Sequence, residues 1–148
     1  MATLKKFFCE TCNESIDAGI LFEALTYIAD EEKKCNKCGH IMSLQLTFDF
    51  GLGVGEVPYR VLGVFYPEEF EGLEWKNDDN SDVIYWPILV VISDLLNRDK
   101  QSFWLPYWHE VKYPEGNSTY KYGQWAPVID IKTFNSLLGQ ARKRGFQI

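Results

Sequence analysis

The chain has 148 residues, of which 46% are hydrophobic and 24% charged. This composition is typical of a folded globular protein and excludes a wholly disordered chain. The net charge of −6 argues against general nucleic-acid binding, because lysine and arginine contacts to phosphate supply most of that affinity. No apolar run reaches the roughly 18 residues that span a bilayer, and the amino-terminal segment lacks the apolar core of a secretion signal. We therefore expect a cytoplasmic protein with no membrane partner.

The four cysteines form two Cys-x-x-C pairs, Cys9 with Cys12 and Cys35 with Cys38, separated by 22 residues. Each such turn presents two sulfurs from one tight knuckle, and two knuckles complete the tetrahedron that structural zinc prefers. The pattern predicts one structural Zn²⁺ held by these four thiolates. We expect His40 to lie on the surface rather than to bind the metal.

Three other interpretations of the cysteines explain the sequence less well. A thioredoxin-like redox site needs one Cys-x-x-C, whereas this chain has two with equal spacing. Disulfides would need an oxidising compartment, for which the sequence carries no signal. A catalytic zinc of the deaminase type needs an H-x-E motif, and neither His40 nor His109 begins one.

The paired knuckles resemble the zinc ribbon family over about residues 7–50. The resemblance implies a β-hairpin or three-stranded module around one zinc held by four thiolates, and it implies no particular activity. Asn13 departs from the family pattern, which often has glycine after the first pair. Zinc binding, worth about 10–16 kcal/mol in small zinc domains, would stabilise a module of this size that cannot bury enough apolar surface alone.

Between the pairs, the apolar segment 19–30 fits a helix or a strand, and the pairing of the knuckles favours a strand. After the second pair, residues 41–50 alternate between polar and apolar side chains, which predicts a half-buried strand. Glycines at positions 51, 53 and 55 and then Pro58 interrupt any regular element. We therefore predict a module boundary there, with a zinc-ribbon module over 1–50 and a second domain over 57–148.

In the second domain, β-branched and aromatic residues predict strands at 59–66 and 83–93. The acidic segment 68–82, which carries seven acids and one lysine, is expected to be an exposed loop. A turn at 95–102 would then lead into an alternating strand at 103–113. Pro87 and Pro106 predict an edge or a bulge in these strands.

The carboxy-terminal segment predicts a helix over about 131–144. Its apolar residues recur at i, i+3, i+4 and i+7 (Phe134, Leu137, Leu138 and Ala141), as on the buried face of a helix. Gly145 can end the helix in a left-handed conformation. The predicted fold class is α+β: a four-cysteine β module followed by a mostly antiparallel β domain with a C-terminal helix.

The leading functional hypothesis is a non-enzymatic zinc-binding module that binds another protein. Its predicted partner surface is acidic and aromatic: Glu68, Glu69 and Glu71 in the loop, and Trp104 and Trp108, which would share one face of a single strand. One form of this hypothesis is an inhibitor or immunity-like protein whose acidic loop imitates nucleic-acid charge.

Two alternatives stay open. A nucleic-acid-binding zinc ribbon would use the basic residues of both ends of the chain (Lys5, Lys6, Lys33, Lys34, Lys37, Arg142, Lys143 and Arg144). A metal-dependent enzyme resembling PD-(D/E)xK nucleases would use Asp94 and Glu110 as Mg²⁺ ligands on adjacent strands, with Lys112 beside the attacking hydroxide. Acid-x-Lys recurs five times in the chain, so this second motif has little specificity.

Overall fold

The computed structural model describes residues 2–49, 53, 55–67, 75–122 and 131–148. Within these ranges the chain forms two helices, α1 (Leu21–Ala29) and α2 (Ile131–Lys143), and ten strands. The strands are β1 (Ala2–Phe8), β2 (Ser15–Asp17), β3 (Ser43–Asp49), β4 (Glu56–Phe65), β5 (Trp75–Lys76), β6 (Asp82–Pro87), β7 (Leu89–Asp94), β8 (Gln101–Trp104), β9 (Tyr107–Lys112) and β10 (Ser118–Tyr122). Most strand pairs are antiparallel, which confirms the α+β class.

The chain divides into two compact units. The first comprises Met1–Val64 and Val90–Phe103, and the second comprises Phe65–Leu89 and Trp104–Ile148. A six-stranded sheet in the order β2-β1-β3-β4-β7-β8 belongs largely to the first unit, and a four-stranded sheet in the order β10-β9-β6-β5 belongs to the second.

The alternating segment 41–50 forms β3 as predicted. Leu44, Leu46 and Phe48 are buried at every second position, as expected for a strand with one face on a core. In the sheet, Leu44 lies opposite Phe7 of β1 and Val61 of β4. These cross-strand pairs build the apolar core beneath the cysteine knuckles.

The predicted strand between the cysteine pairs is wrong, because residues 21–29 form helix α1. Leu21, Ala24, Leu25 and Ile28 recur at i, i+3, i+4 and i+7, and Ala24 and Leu25 are completely buried. The apolar stripe of the helix therefore supplies a better packing surface than an alternating strand could.

The glycine-rich segment does not separate two modules. Strands β3 and β4, on either side of it, pair antiparallel up to Asp49 opposite Glu56 and belong to one sheet. The chain passes from one compact unit to the other instead at Val64/Phe65, at Leu89/Val90 and at Phe103/Trp104.

Two of the strands predicted from the sequence are each divided in the structure. The predicted strand at 83–93 is two strands, because β6 and β7 belong to different sheets. The predicted strand at 103–113 is divided in the same way into β8 and β9. Both breaks lie at prolines, and the N–H of Ile88 donates to the carbonyl of Pro106 at 2.9 Å, which joins the two break points.

The C-terminal helix is confirmed almost to the residue. Its end carries the paired bonds of a Schellman motif, from the N–H of Phe146 to the Ala141 carbonyl and from the N–H of Gly145 to the Arg142 carbonyl, with Gly145 at φ 92°. Leu137 and Ala141 are fully buried. No helix in the described part of the chain has the length and apolar character to cross a membrane.

Candidate metal centre

The first knuckle is a tight turn at the end of β1. The N–H of Cys9 donates to the Glu14 carbonyl at 2.8 Å, and the N–H of Asn13 donates to the Cys9 carbonyl at 2.9 Å. Asn13 adopts φ 60°, a left-handed conformation that asparagine tolerates better than most residues. Asn13 therefore occupies the place where the zinc ribbon pattern often has glycine, with the backbone conformation that glycine would supply.

The second knuckle repeats this structure 26 positions later in the chain. The N–H of Cys35 donates to the His40 carbonyl at 2.8 Å, and the N–H of Gly39 donates to the Cys35 carbonyl at 2.9 Å. Gly39 has φ 76°. The two halves of the site are thus built from the same hydrogen bonds at the same spacing.

Charged side chains attach the first knuckle to its own sheet. Glu10, between the two cysteines of this knuckle, accepts a bond from Arg60 of β4 at 3.0 Å and lies 3.9 Å from Arg98. The Arg60 guanidinium also lies over the ring of Phe8, 5.5 Å from its centroid. Arg60 is only 16% exposed, so its pair with Glu10 is less screened by solvent than a surface pair. The cysteine motif does not reveal these contacts, because β4 is far from the knuckle in sequence.

The two knuckles also contact each other. Lys37 of the second knuckle lies 3.3 Å from Glu14 at the end of the first. Both side chains are about half exposed or more, so this pair contributes little stability. The pair instead positions the two turns that carry the sulfurs, because it joins one to the other.

The four predicted ligands converge. The Sγ atoms of Cys9, Cys12, Cys35 and Cys38 all lie within 4.8 Å of one another. Two separations between the knuckles are 3.3 Å from Cys9 to Cys38 and 3.4 Å from Cys12 to Cys35. A tetrahedral zinc with bonds of about 2.3 Å places its sulfurs about 3.8 Å apart, a value inside this range. The four cysteines therefore form a group that can hold a metal ion, and it is the only group of three or more His, Cys, Asp or Glu ligands in the described part of the chain.

Backbone N–H groups lower the thiol pKa of the first cysteine of each knuckle. The N–H of Cys12 donates toward Cys9 and lowers the pKa of that thiol to about 6. The N–H groups of Cys38 and Lys37 likewise lower the pKa of Cys35. A thiolate is the form that binds metal, so each knuckle presents one sulfur already biased toward that form.

The second cysteine of each knuckle shows the opposite shift. The Glu14 N–H acts to lower the pKa of Cys12, but burial and hydrogen bonds with the other three thiols raise it to about 12. The His40 N–H acts to lower the pKa of Cys38. The hydrogen bond with Cys9 and burial outweigh this effect, so the pKa of Cys38 is also raised. Four sulfurs this close cannot all carry charge unless a cation lies among them.

His40 is a neighbour of the sulfur group and not a member of it. Its Nδ1 lies 3.3 Å from the Cys38 Sγ, and its side chain is exposed. This placement agrees with the expectation of a surface residue. A hydrogen bond to a ligating sulfur is the usual contribution of such an outer residue.

The proposed Mg²⁺ ligands do not lie on adjacent strands. Asp94 ends β7, in the first sheet, where its Oδ1 accepts the N–H of Leu96 at 2.9 Å and stabilises the turn. Glu110 is in β9 of the other sheet and is buried, accepting from Trp86 Nε1 at 2.8 Å and from Ser118 Oγ at 3.0 Å. Each carboxylate has a structural partner, and the two lie in different sheets, so the adjacent-strand arrangement expected of a nuclease site is not present.

The structure gives a different outcome for the acids and for the tryptophans of the predicted partner surface. Glu68, Glu69 and Glu71 lie outside the described residues, and their role stays a prediction. Trp104 is half-buried at the end of β8. Trp108 is on a different strand, β9, and is only 4% exposed, with its ring edge-on to Tyr122 at 5.1 Å. The expectation that the two tryptophans share one face of a single strand is wrong, because the chain changes sheet between them.

Comparison of the chain with protein-family models, with curated proteins and with solved structures gives no match.

Proposed function

We propose that the protein is a non-enzymatic zinc protein in which the metal fixes a surface for binding another protein. The observation that carries the proposal is the convergence of four sulfurs from two matching knuckles within 4.8 Å. A four-thiolate set is typical of structural zinc, and it leaves no coordination position for a water or a substrate.

Zinc is preferred over other metals on chemical grounds. Tetrahedral sulfur sites select zinc or iron. Paired Cys-x-x-C knuckles on a small β unit are typical of structural zinc, and the metal would contribute folding free energy to the unit that carries it. The cysteines are all free thiols, which fits a reducing compartment such as the cytoplasm.

A protein partner is favoured over nucleic acid because three of the basic side chains that would contact phosphate have local partners. Lys33 lies over the rings of Phe7 and Tyr27 at 5.5 and 5.7 Å. Lys37 binds Glu14, and Arg144 lies over the ring of Phe65 at 5.6 Å. Side chains held in this way are less available to a phosphate backbone. The acidic segment containing Glu68 remains a candidate surface for a basic partner.

Two measurements test the proposal. Elemental analysis of protein made in medium containing zinc and iron should find one zinc per chain and negligible iron. Retention on heparin should be weak at moderate salt, whereas cross-linking in the native cell should recover a defined protein partner. A chain that holds iron, or that binds nucleic acid tightly and no protein, would contradict the proposal.

A further inference from the structure

Strand β2 leaves one edge of the first sheet open. Glu14 and Ala18 bond to β1, through Cys9 N–H to the Glu14 carbonyl and Ala18 N–H to the Lys5 carbonyl. Because antiparallel bonding alternates along a strand, Ile16 also bonds to β1, and the backbone groups of Ser15 and Asp17 face away from the sheet. All three residues of β2 are exposed. An edge of this kind can accept an added strand from another chain.

A small cavity lies beside this edge, against the second knuckle. It measures about 90 Å³ and is lined by Ile16 and Met42, by Lys34, Lys37 and Glu14, and by Cys35 and Asn36 of the second knuckle. A dry cavity of about 150 Å³ accepts benzene, so one aliphatic side chain matches this volume better than an aromatic ring does. It is also far below the roughly 300–1,000 Å³ of a typical cofactor or drug site.

Two lysines line the cavity in an otherwise acidic protein. Lys34 and Lys37 lie there with one carboxylate, Glu14, whereas the whole chain carries a net charge of −6. Glu14 already binds Lys37, and the Cys35 sulfur belongs to the metal-binding group, so Lys34 is the lining lysine that can meet a carboxylate of a partner. Lys34 is exposed, so it can contact a carboxylate without losing its hydration.

Ile16 lies on the same face of the sheet as Phe7 but is much more exposed to solvent. It lies opposite Phe7 in the pairing of β1 with β2, so the two side chains share one face of the sheet. Phe7 is 2% exposed and packs edge-on against Tyr27 of α1, whereas Ile16 is 38% exposed. A strand added outside β2 would cover Ile16 and place its own side chains on the same face as the cavity.

We propose that this edge and cavity, here called the β2 groove, bind an extended segment of a partner protein that carries a Val- or Leu-sized side chain with acidic residues two positions away. The segment would pair with the backbone of Ser15 and Asp17. Its aliphatic side chain would enter the cavity against Ile16, and its acids would reach Lys34. The proposal rests on the proposed function and names the class of partner. A nucleic acid fits the groove poorly, since its bases are too large for the cavity.

The probe is a synthetic peptide, acetyl-Thr-Asp-Thr-Val-Thr-Asp-Thr-amide, in which the two acids and the valine share one face of the strand. It is titrated into the zinc-loaded full chain and followed by amide NMR. We expect resonance shifts around the β2 groove and slower amide exchange at Ser15 and Asp17, with no change in exchange at Ile16, whose N–H is already bonded. Peptides with lysine replacing both acids, or tryptophan replacing valine, should bind at least about tenfold more weakly.

Matched variants separate charge from general effects. Lys34→Glu should weaken binding of the acidic peptide about tenfold, because it replaces an attraction to the peptide's acids with a repulsion. Lys100→Glu makes the same charge change at an exposed lysine in the turn between β7 and β8, and should leave binding within twofold of wild type after the small change in net charge. Zinc content of each variant reports that the site is intact.

Three results would overturn the β2 groove: no binding at millimolar peptide, equal binding of the acidic and basic peptides, or shifts confined to residues outside the groove. Any of them, found on protein that holds one zinc and still recovers its cellular partner, would reject the groove and leave the proposed function standing. Absence of bound zinc would reject the proposed function itself.

Discussion

Substitution of Gly39 by alanine tests the knuckle geometry with a predictable cost. Gly39 has φ +76°, and a Cβ added there would meet no atom within 4 Å. The substitution therefore introduces backbone strain and no steric clash. A non-glycine residue in the left-handed region costs about 1–2 kcal/mol. Because the Gly39 N–H closes the knuckle on the Cys35 carbonyl, this strain acts on the folded, metal-bound state.

The expected result is a loss of about 1–2 kcal/mol in unfolding free energy, or a zinc affinity lower by roughly five- to thirtyfold where metal binding and folding are coupled. Urea unfolding of the zinc-loaded protein and competition with a colorimetric chelator measure the two quantities. Gly139→Ala is the matched control. An added Cβ at Gly139 also meets nothing within 4 Å, but this glycine lies inside α2, where alanine should stabilise by about 0.5–1 kcal/mol.

The two glycine substitutions should therefore have opposite signs, and only Gly39→Ala should change zinc affinity. Asn13→Gly should keep wild-type zinc affinity, because glycine adopts the φ of 60° at that position freely. Wild-type zinc affinity in Gly39→Ala would refute the account of the second knuckle. Equal destabilisation by both alanine variants would show that the conformation of Gly39 is not the cause.

Three further predictions concern other sites. Cys38→Ser should reduce bound zinc well below one per chain by elemental analysis and lower the melting temperature; an unchanged zinc content would mean that Cys38 is not a ligand. Glu110→Ala should cost about 1–3 kcal/mol in urea unfolding, because it removes a buried carboxylate that accepts hydrogen bonds from the half-buried Trp86 and from Ser118; a cost below about 0.5 kcal/mol would contradict this role. Burial, followed by the charge of Tyr107, raises the pKa of Tyr85 from 10.0 to about 12. The folded state therefore favours the neutral phenol, and this contribution of Tyr85 to the unfolding free energy is complete below pH 10 and lost as the pH rises toward 12. The Tyr85 hydroxyl has no hydrogen-bond partner among the described residues, so Tyr85→Phe should be nearly neutral at pH 7 and should reduce this alkaline loss in stability measured from pH 8 to 12. Identical alkaline profiles for the two proteins would contradict the assignment.

Local patterns predicted the site and several elements. The spacing of the four cysteines identified the ligand group, because a Cys-x-x-C turn is determined by neighbouring residues. The alternation at 41–50 and the apolar stripe of α2 predicted those elements for the same reason. The helical spacing of Leu21, Ala24, Leu25 and Ile28 also indicates helix α1. The expected pairing of the knuckles favoured a strand there, and that expectation was wrong.

The errors arose where distant segments decide the structure. The glycine segment at 50–55 looks like a linker until β3 and β4 are known to pair across it. Pro87 and Pro106 marked the breaks, but nothing local indicates that β6 and β7 join different sheets. Trp108 is buried because of that change of sheet, which its own alternation with Trp104 could not reveal.

Zinc-edge X-ray absorption spectroscopy on the purified protein, combined with elemental analysis, tests the central claim most directly. The account predicts one zinc per chain with four sulfur neighbours at about 2.3 Å and no nitrogen or oxygen in the first shell. The same spectrum should be obtained for His40→Ala, since His40 contacts the Cys38 sulfur from outside the four-sulfur group. A first shell with three sulfurs and one nitrogen, or a chain that binds no zinc, would contradict the account.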